Sequence, residues 1–184
     1  MLAKRWLNMS IQGQSIETAE SPETNQTLVD RIVSAYPVVF VVAALAAALV
    51  QVLLLGQPIV ESLLVGFLVF TVGMQGLWAF LGHYFQSDEV ATSIGWPTGN
   101  PFQKEIAFTN LAFGTLGVLC IWLHGGFWIA AGLGHAIFVL GAGTVHFAEI
   151  HEHGNTHPGN RASFAAFNAA VQVVILVLLT VQFA

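Results

Sequence analysis

Four of the seven histidines stand in one stretch, HFAEIHEHGNTHPGN (146–160), with Glu149 and Glu152 between them. Imidazole beside carboxylate is the donor chemistry that holds iron, manganese or zinc. On a helix turning 100° per residue, His146, Glu149 and His153 fall within about 60° of one another. His135 continues the same stripe deeper in the helix, and His151 points away. Two other segments offer matching groups at the same end. His83 closes one apolar run, and Glu105 opens the next. If the three helices are neighbours, His83, Glu105, His146 and Glu149 form a candidate metal set, as in helical bundles that carry metals in their cores. The spacing is not the di-metal pattern, which needs Glu-x-x-His twice; here His146-x-x-Glu149 occurs once. A haem held by two of His83, His135 and His146 is an alternative, although His135 and His146 lie too far apart on one helix to share an iron.

Each of these residues also has a plainer reading. Glu105 suits the first turn of any helix, where the dipole favours negative charge. His83 reads as a ligand of a loop carbonyl, and His146 with Glu149 as a packing pair. His151, His153 and His157 read as solvated loop residues, and His135 as an interhelical hydrogen-bond donor.

The elements that position these groups are membrane spans. Charged residues make up 8% of the 184 and hydrophobic ones 55%, with a mean hydropathy of +0.73. A soluble domain carries roughly a quarter charged residues. This composition specifies an all-α integral membrane protein. Five segments reach the roughly 20 apolar residues a crossing needs: 38–56, 59–85, 106–125, 127–150 and 164–183. A polar N-terminal tail, 1–26, precedes a transmembrane domain, 27–184. That domain opens with a short amphipathic helix, capped by Thr27, with Leu28, Ile32, Val33 and Tyr36 on one face and an end at Pro37. The tail lacks the apolar core of a signal peptide, and MLAKRWL places Leu2, Trp6 and Leu7 for contact with a membrane surface. Gly154 is the natural stop of the fourth span. Glycines at 66, 73 and 76 of the second span and at 132, 134, 141 and 143 of the fourth predict close packing of those two spans. Trp78, Trp96, Trp122 and Trp128 read as an interfacial belt.

With five spans, Lys4, Arg5, Arg31, Lys104 and Arg161 all fall on one side. The positive-inside rule then predicts a plasma (inner) membrane protein with its N-terminus cytoplasmic and its C-terminus outside. His83, the loop 86–105 and the histidine stretch share the cytoplasmic side. Several chemistries are excluded. No basic cluster exists for nucleic acid. The single Cys120 rules out an intramolecular disulfide, a CxxC redox pair and a CxxCH haem site. No phosphate-binding loop or nucleophile elbow occurs.

The blocks HYF (83–85), IGWPTGNPFQKEIAFTNLAFGTLGVL (94–119), GGFWIA (125–130), GAGTVH (141–146) and the GN…PGN pair (154–160) resemble a family of small bacterial and archaeal membrane proteins of unknown function. The likeness covers about residues 60–183, and its specific part is IGW-x-x-G-x-PFQ-x-E. It implies an architecture and a set of marked positions: His83, Trp96, Asn100, Pro101, Gln103, Glu105, Asn110, His146, Asn155 and Asn160. Among these, Trp96, Asn100, Gln103 and Asn110 are candidate ligand-binding residues. The pattern omits His151, His153 and His157.

Three functions are compatible with this reading. The first is a site for a metal or small polar ligand, built on His83, Glu105, His146 and Glu149. The second is a non-enzymatic accessory subunit, a homo-oligomer or part of a larger membrane complex, in which the polar cluster is structural. The third, a small transporter or channel, ranks last because the outer half offers little beyond Glu61, Gln75, His124 and Asn168. The bilayer is a partner in all three.

Overall fold

Seven helices account for the described residues of the computed structural model, which gives the backbone of residues 22–184 and the side chains of residues 35–184. The tail segment 1–21, with its membrane-surface reading, lies outside the described residues. Helix α1 is Pro22–Leu55. The second span is continuous but not uniform: α2 (Ile59–Phe67), a π-helical segment (Leu68–Met74) and α3 (Gln75–Phe85). Short α4 is Ser87–Ile94, followed by α5 (Phe102–Leu119), α6 (Gly126–His153), a 3₁₀ turn (Pro158–Asn160) and α7 (Ala162–Phe183). There is no strand among the described residues.

Among the described residues, four helices are long and apolar enough to cross a membrane: Ala35–Leu55 of α1, Ile59–Phe85, α6 and α7. The expected third span, 106–125, is not among them. Its helix starts earlier, at Phe102, and stops at Leu119, so it spends part of its 18 residues on Gln103, Lys104 and Glu105. Residues 120–125 turn instead of extending the helix. The separate amphipathic helix is also absent. Residues 22–55 form one helix, with Thr27 inside it and Pro37 accommodated without a break. A proline inside a helix removes one hydrogen bond and crowds the preceding turn. Pro37 is fully buried, and its neighbour Tyr36 meets the Phe164 ring edge-on at 5.9 Å.

The second span is the most enclosed of the four. Leu64, Leu68 and Val72 pack with Ala44 of α1, Trp128 and Ala131 of α6, and Ile175 and Leu179 of α7. The outward apolar side chains of α1 and α7, such as Leu49, Leu53, Val173 and Val177, remain exposed. That distribution suits lipid, where an apolar rim costs nothing.

Glycines set the closest approaches, but not between the expected pair of spans. A Cβ on Gly117 would lie 2.3 Å from the Gly73 nitrogen, and one on Gly76 would lie 2.9 Å from Gly114 Cα. The seam therefore joins the second span to α5, running antiparallel. Gly66 abuts the Ala44 carbonyl, whereas Gly141 and Gly143 have nothing within 4 Å of an added Cβ. Small residues permit close packing without naming the partner, and the partner here is α5.

Two polar bridges cross the apolar interior. His135 Nδ1 meets Gln172 Oε1 at 3.0 Å, and Gln75 Nε2 donates to Asn168 Oδ1 at 3.1 Å. His135 thus has the interhelical role read from its sequence. Such bonds in lipid average well under 1 kcal/mol because the unfolded chain finds other partners. His135→Phe is expected to cost less than about 1.7 kcal/mol, measured by detergent-titrated unfolding. At the opposite end, Trp128 departs from the interfacial belt. It is buried, and its indole N–H donates to the Cys120 carbonyl at 2.9 Å, pinning the 120–125 turn.

Candidate functional site: a histidine-centred clasp

The marked polar residues gather where α3, α5 and α6 end or begin. Helix α4 stops at Gly95, whose φ of 80° is the left-handed conformation that glycine adopts most readily. The Trp96 N–H closes the cap on the Ala91 carbonyl. The following loop is held from within: Gly99 N–H donates to Asp88 Oδ1 at 2.8 Å. Asn100 Oδ1 accepts from Phe102 N–H at 2.9 Å, tying the loop to the start of α5.

The loop docks onto the other connection, 154–161. Helix α6 runs through His153 and ends at Gly154, φ 64°, as its sequence predicts. Asn155 then donates through Nδ2 to the Ile94 carbonyl at 3.0 Å and accepts the His157 N–H at Oδ1. Asn160, only 1% exposed, donates through Nδ2 to the Asn155 carbonyl at 2.9 Å. Its Oδ1 meets His146 Nδ1. The Trp96 indole lies parallel to the His146 ring, 6° between planes and 5.4 Å between centroids. A run of contacts therefore links α4, α6 and the 3₁₀ turn through Trp96, His146, Asn160 and Asn155.

This geometry fixes the His146 tautomer. Asn160 uses its amide N–H on Asn155, so its oxygen must accept, and His146 Nδ1 carries the proton. The same arrangement recurs nearby, where His83 Nδ1 meets Gln103 Oε1 at 2.7 Å. In each, an amide orients the ring through Nδ1 and leaves Nε2 outside the pair.

The carboxylates do not join them. Glu105 is exposed on the outside of α5. Glu149 pairs with His153 one turn along, at 3.1 Å. Among the described residues, no group of three or more His, Cys, Asp or Glu side chains could hold a metal ion. The four residues of the expected metal set therefore separate into two histidines, each bound to an amide, and two outlying acids. Asn110 also departs from a ligand role. Its Nδ2 donates to Ile106 O of its own helix, beside the Gly76 seam. His151, His153 and His157 are exposed, as loop and helix-end residues should be. Asn155 and Asn160 carry the clasp, yet side-chain type alone gives them no chemistry. Their signal is position, in the two loops that flank a histidine helix.

Gly95 shows how tightly the two loops meet. An added Cβ would lie 2.5 Å from His157 Cδ2 and 2.7 Å from Asn155 Oδ1. Gly95→Ala is expected to lower stability by about 1–3 kcal/mol through backbone strain and this clash, read as a fall in melting temperature.

The fold and site define a class: a helical membrane protein whose polar side chains are tied together at one end of its bundle. The chain belongs to the family described as family of unknown function (DUF6790), which matches residues 34–184. No curated protein and no solved structure matches the chain.

Proposed function

We propose that the chain is a non-enzymatic membrane subunit whose polar cluster is a structural clasp. The clasp presents the rigid loop 95–101 at the cytoplasmic face to a partner chain or a second copy. The observation that carries this reading is the docking of Trp96 and Ile94 onto His146, Asn160 and Asn155. The polar groups with the strongest donor chemistry face one another across two connections. A five-span topology belongs to the same reading. Helix α5 lies antiparallel to the second span from the His83–Gln103 bond to the Gly73–Gly117 contact, and its 18 residues extend about 27 Å, close to the hydrocarbon thickness. Five crossings would put Lys104 and Arg161 together on the cytoplasmic side of the plasma membrane.

Crosslinking in native membranes tests this function. A thiol-directed crosslinker on Thr98→Cys is expected to capture a discrete partner or a second copy. A loop that reacts only with lipid and solvent would contradict it.

A second reading rests on one observation: the bare Nε2 atoms of His83 and His146, each held by an amide, the orientation seen in histidine ligands. These nitrogens would donate to a small polar ligand, or to an iron, manganese or zinc ion completed by water. Elemental analysis of the purified protein beside His146→Ala separates the readings. The clasp predicts no stoichiometric metal in either sample. One metal per chain, lost in the variant, would favour these histidines as a site.

A further inference from the structure

Beside the clasp, but built from different residues, a cavity of about 230 Å³ opens between α1 and α7. Its polar lining comes from Arg161 and Ser163, and its apolar walls from Pro37, Val38, Phe164 and Phe167. Arg161 stands at the junction of the 3₁₀ turn and α7, where the apolar span begins. A guanidinium binds phosphate oxygens through a fixed fork of donors. Val38 is 48% exposed and continues into the exposed apolar face of α1. The pocket thus pairs a cation at the span end with walls that run into the lipid-facing surface. Its volume fits a headgroup and excludes whole acyl chains, which would lie along the outer faces of α1 and α7. Basic pockets between helices on the cytoplasmic side are the common form of anionic-headgroup sites.

We propose that this pocket binds the phosphate headgroup of an anionic membrane phospholipid, with Arg161 on the phosphate, Ser163 beside it, and Val38, Phe164 and Phe167 against the lipid backbone. The proposal rests on the membrane reading of the helices and is independent of the clasp and of any protein partner.

The test compares lipid retention by native mass spectrometry after reconstitution in equal parts phosphatidylglycerol and phosphatidylcholine. The wild-type chain is expected to retain phosphatidylglycerol about fivefold over phosphatidylcholine, the preference one surface cation provides. Arg161→Gln is expected to bring that ratio to about one, by the same loss of a single cation. Val38→Trp, which fills the apolar wall and keeps the cation, is expected to reduce retention of both lipids. Equal retention by the wild type, or a preference that survives in Arg161→Gln, would overturn the proposal. Competition by soluble glycerol phosphate as effective as that by the lipid would also overturn it, by assigning the pocket to free phosphate. If Arg161→Gln fails to fold, Arg161→Lys serves in its place. It should keep a reduced preference, and an unchanged one would count against the guanidinium's role.

Discussion

Gly117→Leu is expected to abolish the folded state, or to lower stability by more than about 3 kcal/mol. The glycine sits where α5 and the second span touch through backbone. An added Cβ would come 2.3 Å from the Gly73 nitrogen, 2.5 Å from Gly73 Cα and 2.7 Å from the Leu68 carbonyl. None of these atoms belongs to a side chain that could rotate away. The substitution can be relieved only by separating the helices, which would also pull Gln103 from His83. Gly117→Ala should show the same defect in milder form. Gly141→Ala and Gly143→Ala provide the contrast. Both sit in open space on α6, where alanine should be neutral or stabilise by up to about 1 kcal/mol per site. Unfolding of the four variants in mixed micelles, followed by circular dichroism, tests this ordering. Equal effects at Gly117 and Gly141 would contradict the seam.

Asn160→Ala is expected to cost about 2–4 kcal/mol, the second largest effect, since each buried group left unpaired costs about 1–3 kcal/mol. Asn160 is 1% exposed, and its side chain serves two partners that have no alternative in the network. Removing it orphans the His146 Nδ1–H and the Asn155 carbonyl. The loss should be local at first. Amide hydrogen exchange is expected to accelerate across 94–101 and 154–161, while α1 and the seam stay protected. Uniform acceleration over the chain, or none, would show that the two connections are not joined through Asn160.

These residues also mark how far the sequence could be read. Composition and apolar runs are strong signals, because backbone groups in lipid must be satisfied within the helix. The helix stop at Gly154 and the interhelical role of His135 follow from local chemistry, and the structure agrees; helix α4, inside the segment 86–105 read as a loop, does not show in the pattern of apolar residues. Pro37 was misleading because its cost is local, whereas its burial near Phe164 is a long-range compensation. The π-helical segment Leu68–Met74 has no reliable sequence sign. It changes the helical phase, so side chains on either side of it do not share the face that a 100° rotation assigns. Within it, Thr71 Oγ1 donates to the Phe67 carbonyl at 2.8 Å, a side-chain bond of the kind that perturbs helices.

The glycine seam and the metal set were misread for a related reason. Periodicity says which residues share a face and is silent on which helix that face meets. His83 and His146 are each held by an amide, Gln103 and Asn160 respectively. Glu149 lies on the same stripe as His146 but has His153 one turn away, and a local partner forms without any tertiary constraint. Glu105 gains enough from the first turn of α5 to need no partner across the interface. Asn155 and Asn160 could be singled out only through resemblance, since amides in loops are common and their partners here are backbone carbonyls and a ring nitrogen.

The most direct test of the clasp is a double-mutant cycle across its central bond, with unfolding free energies measured for wild type, His146→Phe, Asn160→Leu and the double variant. Phenylalanine keeps the stack on Trp96 while removing the Nδ1 donor, and leucine removes the acceptor at similar volume. The account predicts that each single variant is destabilised, and that the double variant loses less than the sum by about 1 kcal/mol or more, the coupling expected of a shared hydrogen bond. Strictly additive losses, or single variants as stable as the wild type, would contradict it.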